Sequence, residues 1–381
     1  MKSTRKHLLV IILLIALGAT GCSALEQMGR SSSLGTDTIQ YADFPEQTLR
    51  DRQGQVLIEV PPIYELMQVG LALTEASEAQ PYRYTHPETE YYRKMRETFD
   101  PYQDHAWIAA LNEETRSPTS YRAIFAYQFT PQGIEGPQIY GVDHLSAAFQ
   151  PSLDLMADFA KETNFDAFYQ QHQPFYQDEI QRYQDTVPVQ SIWDFMEENF
   201  SNEVDSYHIV LSPLMVGTNN TIKFVDREND FTEILLFVPS PVVMRNHPLI
   251  PEEAASQTLT RSVFTEIDHN YVNPATDRHL EAIDRAMRRL SDWHTGSGYP
   301  TAALKFNEYF TWAIFFPWAE QYYSGEQYEA IFEITVEHMN MRGFIQFEAF
   351  AEELIRLYRS NPEIPLEEQI PAMVAWMAEQ N

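Results

Sequence analysis

The chain has 381 residues, with 55 acidic side chains against 26 basic ones and a formal net charge of −29. So acidic a surface is repelled by polyanions, which excludes nucleic acid as a partner and electrostatic adhesion to anionic lipid as a mode of attachment. Hydrophobic residues make up 44%, ample for the core of one large domain or two, and a single cysteine excludes an internal disulfide, so core burial must supply the stability.

In chain order, Lys2, Arg5 and Lys6 form a basic start to an apolar run from Leu8 to Leu17. That run has signal-peptide length and is too short to span a membrane as a mature helix. Gly18, Ala19, Thr20 and Gly21 then lead to Cys22. Small residues before a lone cysteine resemble the lipobox of bacterial lipoproteins, in which the thiol is lipidated and becomes the mature N-terminus. The resemblance implies a signal peptide over 1–21, lipidation at Cys22, and attachment to a membrane at the cell envelope by acyl chains. Ser23 rather than Asp after the cysteine implies the outer membrane, on its periplasmic or surface face. Segment 23–37 is rich in Ser, Gly and Thr without periodicity, so residues 22–45 are expected to be the lipidated cysteine and a flexible tether.

Residues 46–381 are expected to fold. Gln55–Val60 reads as a strand stopped by Pro61-Pro62, and Ile63–Glu75 follows with helical spacing at Leu66, Val69 and Leu73. From Thr85 to Thr186 the pattern is mostly helical and rich in aromatic residues, which predicts core; Tyr121–Phe129 reads as either strand or helix. Tyr207–Leu211, Thr221–Val225 and Glu233–Val238 are β-rich runs, the first and last closed by prolines, and are expected in one small sheet. After Pro251 the pattern is nearly all helical: one helix to about Tyr271 ended by Asn273-Pro274, then 276–291, 300–323, 327–340, 346–359 and 366–379. The class is α+β, predominantly helical with a small central sheet: a helical half to about 204, a motif-bearing half over 205–325 and a helical C-terminal part over 326–381.

Chemistry concentrates at Thr265-Glu266-Ile267-Asp268-His269. In a His-Glu-x-x-His helix, two histidines at i and i+4 share one face and one zinc ion, while the glutamate polarises the metal-bound water and carries its proton. Here Glu266 stands in the base position and His269 in the second ligand position, with Thr265 where the first histidine would be. With 11 histidines in an acidic chain, one Glu-x-x-His is expected by chance, and one occurs. The motif therefore gains weight only from its surroundings.

Those surroundings form an ordered series. Ile58-Glu59-Val60 and Tyr64-Glu65-Leu66 come first, then Asn164-Phe165-Asp166 with Phe168 and His172, then Ile209–Leu214 with its Ser212-Pro213. The motif with Tyr271-Val272-Asn273-Pro274 follows, and last a helix bearing Glu308. The series resembles a bacterial family of secreted and lipid-anchored proteins of unknown function whose members look like gluzincin-type zinc peptidases, and it covers roughly residues 55–320. The resemblance implies a gluzincin-like active-site helix, Glu266 as the catalytic base, and His269 and Glu308 as zinc ligands, with the Thr265 ligand position vacant. A neutral hydroxyl is a poor zinc ligand, so zinc occupancy is in question. Asp268, adjacent on the helix, points roughly 100° away from His269. Asp205, His208, His279 and His294 are ligands on paper only, the histidines being expected at the solvated surface. No Gly-rich phosphate loop and no Gly-x-Ser-x-Gly elbow occurs, so no nucleotide is expected.

Three functions follow. The first is a degenerate peptidase-like lipoprotein that binds a peptide or an envelope protein. The second is an active zinc peptidase with a non-standard ligand, and the third a structural envelope lipoprotein whose Glu-x-x-His is incidental.

Overall fold

The structure is a computed structural model that describes residues 40–81, 85–113, 118–130, 132–136, 139–140, 150–216, 219–248, 250 and 252–380. The signal segment, Cys22 and the stalk over 23–37 lie outside the described residues. The class is the expected one, mostly helical with a small central sheet. The chain forms two compact units, one comprising Thr36–Glu197 and Asn202–Asn270, the other including Glu198–Ser201 and Tyr271–Asn381.

The first unit holds every strand among the described residues. Its sheet has the order β1 (Gln40–Ala42), β6 (Asn220–Asp226), β7 (Thr232–Pro239), β5 (Ser206–Ser212), β2 (Gln55–Glu59). A separate hairpin pairs β3 (Gln128–Thr130) with β4 (Gly133–Glu135). In the sheet β2, β5 and β7 run parallel, and β6 returns antiparallel to β7. Every residue of β5 and β7 is buried, which explains why both read as continuous apolar runs rather than alternating ones. Asp226 closes the β6–β7 turn by accepting the backbone N–H groups of Glu228 and Asn229 at 2.9 Å, and Asp230 takes a left-handed φ of 58°. Gln40–Ala42, within the expected tether, joins the sheet edge as β1 by backbone pairing with β6.

Around this sheet the unit places α1 (Glu46–Arg52), α2 (Pro62–Ala72), α3 (Glu75–Ala79), α4 (Glu90–Phe99), α5 (Ala106–Glu113), α6 (Gln150–Glu162), α7 (Phe165–Gln171), α8 (Gln173–Thr186), α9 (Val189–Asn199) and α10 (Pro241–Arg245). Tyr121–Ala126 belongs to a 3-10 helix over Pro118–Ala126, after which the chain enters β3. α2 starts on Pro62, whose missing N–H costs nothing at the first turn, and is buried from Ile63 to Ala72. Gly70 lets Trp107 of α5 lie against its backbone, since a Cβ there would collide with the indole ring.

α11 (Ala255–Asp277) runs past Asn273-Pro274, where the sequence predicted its end, and its last seven residues belong to the second unit. Pro274 has no N–H to offer the carbonyl of Asn270 four residues back; Asn202 Nδ2 donates to that carbonyl instead, at 3.1 Å, and the helix continues. The helix expected over 276–291 is shorter: α12 covers Leu280–Ala286, and a 3-10 turn covers Leu290–Asp292. The second unit then adds α13 (Ala302–Tyr322), α14 (Gly325–Met341), α15 (Phe347–Ser360) and α16 (Leu366–Glu379), close to the predicted spans. Tyr309 on α13 anchors its core, donating to the Trp293 carbonyl at 2.6 Å and accepting from Gln346 N at 3.0 Å.

Two histidines depart from the expected solvated surface. His208 lies on the central strand β5, 2% exposed, with Nε2 2.8 Å from Glu59 Oε1 and Nδ1 3.0 Å from the Tyr140 hydroxyl. His294 is buried in the helical unit, its two ring nitrogens at hydrogen-bond distance from the Gly296 and Arg342 carbonyls. In both cases neighbouring polar groups satisfy the ring, which removes the need for water.

Candidate functional site

α2 leaves the end of β2 so that Glu65, on its first turn, faces the end of β5. Glu65 is 0% exposed. Its carboxylate accepts from Ser212 Oγ at 2.7 Å and from the Tyr91 hydroxyl of α4 at 2.8 Å. The Tyr91 oxygen lies 2.6 Å from that of Tyr176 on α8. The Tyr91 ring meets His172 edge-on at 5.3 Å and Phe168 at 5.9 Å. Asn164, in a left-handed turn with φ 54°, leads into α7 and so positions Phe168; Asn tolerates that conformation because its short side chain limits the clash. Glu65, Phe168, His172 and Ser212, widely separated in the sequence series, thus share one cluster. Burial pushes the Glu65 carboxyl up to about 7, against the lowering effect of Ser212 and Tyr91. Burial also raises the Tyr91 and Tyr176 phenols, so both stay protonated as donors at neutral pH.

The neighbouring residue, Tyr64, donates its hydroxyl to Met215 Sδ at 3.1 Å and faces Arg122 of the 3-10 helix. Arg122 is 2% exposed, its guanidinium 5.8 Å from the centre of the Phe237 ring. Burial lowers the Arg122 guanidinium from its ordinary value, while Tyr64 and the Glu266 carboxylate act in the opposite direction. Glu266, in the base position of the motif, is therefore the electrostatic counterpart of a buried cation.

The other motif residues have separate surroundings. Thr265 is buried and donates its hydroxyl to the Ser262 carbonyl at 3.0 Å, a back-bond within its own helix. Asp268 is buried, whereas His269 is half-exposed. Asn270 Nδ2 donates to the Glu266 carbonyl at 3.0 Å and to Thr221 Oγ1 of β6 at 3.1 Å, tying this stretch of α11 to the sheet. Glu308 belongs to the helical unit. It is 4% exposed, and its Oε2 lies 2.6 Å from Arg342 Nη2; Arg342 also donates to the Tyr299 hydroxyl and sits over the Trp312 ring at 5.0 Å.

These donors do not fit a zinc ion as they stand. The Thr265 hydroxyl is committed to backbone, and Glu308 is committed to a guanidinium. Among the described residues, no group of three or more His, Cys, Asp or Glu side chains is placed to hold a metal. Arg122 went unnoticed in the sequence. Its signal was a lone cation inside the apolar, aromatic stretch Tyr121–Phe129, where a buried charge needs a partner.

Residues 141–329 match the model of a family described as a domain of unknown function (DUF4932). The chain thus carries a domain of an unknown-function family, as the series of motifs implied, and the matched stretch includes Ser212, Thr265–His269 and Glu308. No curated protein and no solved structure matches the chain.

Proposed function

We propose that this chain is a lipid-anchored protein of the bacterial cell envelope whose metallopeptidase-like domain has lost its metal and binds a peptide or protein partner instead of cleaving one. The observation that carries the reading is the electrostatic interaction of Glu266 with the buried guanidinium of Arg122. A glutamate acts as a base in such a site by taking a proton from metal-activated water. Here the cation that Glu266 interacts with is a buried guanidinium, which activates no water and repels a second cation. Thr265 adds to this, since its hydroxyl is spent on Ser262. The ordered series from Glu59 to Glu308 supports gluzincin ancestry, and the Lys2–Cys22 pattern supports the anchor.

Metal analysis of the mature protein, purified without chelator, tests the reading. Zinc well below one equivalent is expected, and zinc near one equivalent overturns it in favour of a working metallopeptidase with an unusual ligand set. Thr265→His tests the ancestry separately. It is expected to confer zinc binding through imidazoles at i and i+4, and a variant that still takes up no zinc removes the peptidase descent.

A further inference from the structure

In the helical unit, α14 and α15 run side by side with an open valley between them. Two depressions of about 500 Å³ and about 600 Å³ line this valley, and they share Phe332 and Glu333, so they form one continuous groove. Its floor is apolar: Phe332 and Val336 of α14, Ile355 of α15 and, at one end, the half-exposed Met341. Its walls are acidic. Glu329, Glu333 and Glu337 follow at four-residue spacing along α14, and Glu348 and Glu352 do so along α15. Among the described residues none of these five carboxylates forms a salt bridge. The two basic residues at the far end are engaged, Arg356 with Glu353 at 2.6 Å and Arg359 with Glu320 at 2.7 Å.

This arrangement costs the free protein stability. Like charges at i,i+4 destabilise a helix by a few tenths of a kcal/mol per pair, and Met341 and part of Phe332 stay open to water above the already buried Val336 and Ile355. Both costs are relieved by one kind of occupant. We propose that the α14–α15 groove is a docking site for a basic amphipathic helix of a partner protein, with an aliphatic stripe seated on Phe332 and Met341 and flanking Lys or Arg residues paired with the glutamates. A third helix laid between two side-by-side helices is an ordinary packing solution, and recognition of an amphipathic helix by a groove uses the same spacing. An anionic membrane surface is the wrong chemistry for five carboxylates. The groove lies almost wholly beyond residue 329, where the family match ends, and it needs nothing from the Thr265–His269 helix.

The test uses the full chain and a fluorescent synthetic helix of leucines at helical period flanked by lysines, at physiological salt, read by anisotropy. A matched peptide flanked by glutamates is the first control. The protein is acidic throughout, so two charge-reversed proteins are compared: Glu333→Lys/Glu348→Lys in the groove, and Glu97→Lys/Glu379→Lys at exposed positions outside it. Binding of the lysine peptide is expected to weaken at least about tenfold in the groove variant and less than about twofold in the other. Met341→Asp, which puts a charge at the exposed end of the floor, is expected to weaken it as well. Thermal melting confirms that each variant is folded. Equal losses in the two double variants, equal binding of the glutamate peptide, or no binding of the lysine peptide overturns the proposal. The zinc content of the protein bears on none of these outcomes.

Discussion

Glu65 gives the sharpest prediction. Its carboxyl is fully buried, and burial raises it from 4.5 to about 7. At about 1.4 kcal/mol per tenfold, that difference amounts to about 3 kcal/mol. The folded protein holds this proton more tightly than the unfolded chain does. The stabilisation is therefore complete below pH 4.5 and is lost as the pH rises through about 7. Glu65→Gln keeps the shape and leaves an amide oxygen for Ser212 or Tyr91, but it removes the titration. Urea unfolding of both proteins between pH 4.5 and 8 reads the effect as a difference in slope. Other titrating groups cancel in the comparison, and any fixed cost of the amide moves only the intercept. The native protein should lose about 3 kcal/mol relative to the variant across this range. Parallel curves would mean that Glu65 is already ionised in the folded state at acid pH, and the account of the Tyr91–Tyr176–Ser212 cluster as a set of donors around a buried carboxylic acid would fail.

Two further substitutions probe the frame around the sites. Glu308→Gln leaves the Arg342 guanidinium without its counter-charge in the helical unit and should cost about 3 kcal/mol of stability by denaturant unfolding; unchanged stability would return Glu308 to the role of a spare metal ligand. Gly70→Ala drives a methyl group into the Trp107 ring and should cost about 1–3 kcal/mol, visible as a lower thermal midpoint. A neutral result there would mean that α2 and α5 slide apart at little cost.

Much of the fold could be read from the sequence because its signals are local. The runs 207–211 and 233–238 are apolar on both faces and bounded by proline, and they became β5 and β7; the last four long helices fell within two residues of their expected limits. What was hidden depended on distant partners. β1 is three residues without an apolar pattern, and only the backbone of β6 makes it a strand. Pro274 looked like a terminator because nothing nearby announces that Asn202 will take over the orphaned carbonyl. At the candidate site, Thr265, Glu266 and His269 were visible as a motif, but Arg122, with which Glu266 interacts electrostatically, lies more than a hundred residues earlier in the sequence. His208 reads as an ordinary polar residue until Glu59 and Tyr140 are seen on either side of it.

The pairing of β2 with β5 sets the order in which the protein can assemble. Gln55 lies opposite Ser206, so β2 must wait for a partner about 150 residues further along the chain, a separation that slows folding through the entropy of closing so long a loop. α2 and the helices after it can form and cluster in the meantime, since their contacts are local. β5, β6 and β7 pair over short separations, but until β5 arrives the unpaired edge of β2 and the apolar face of α2 stay open to association with other chains. A substitution that weakens β5 should therefore lower the yield of soluble protein before it measurably lowers the stability of what has folded.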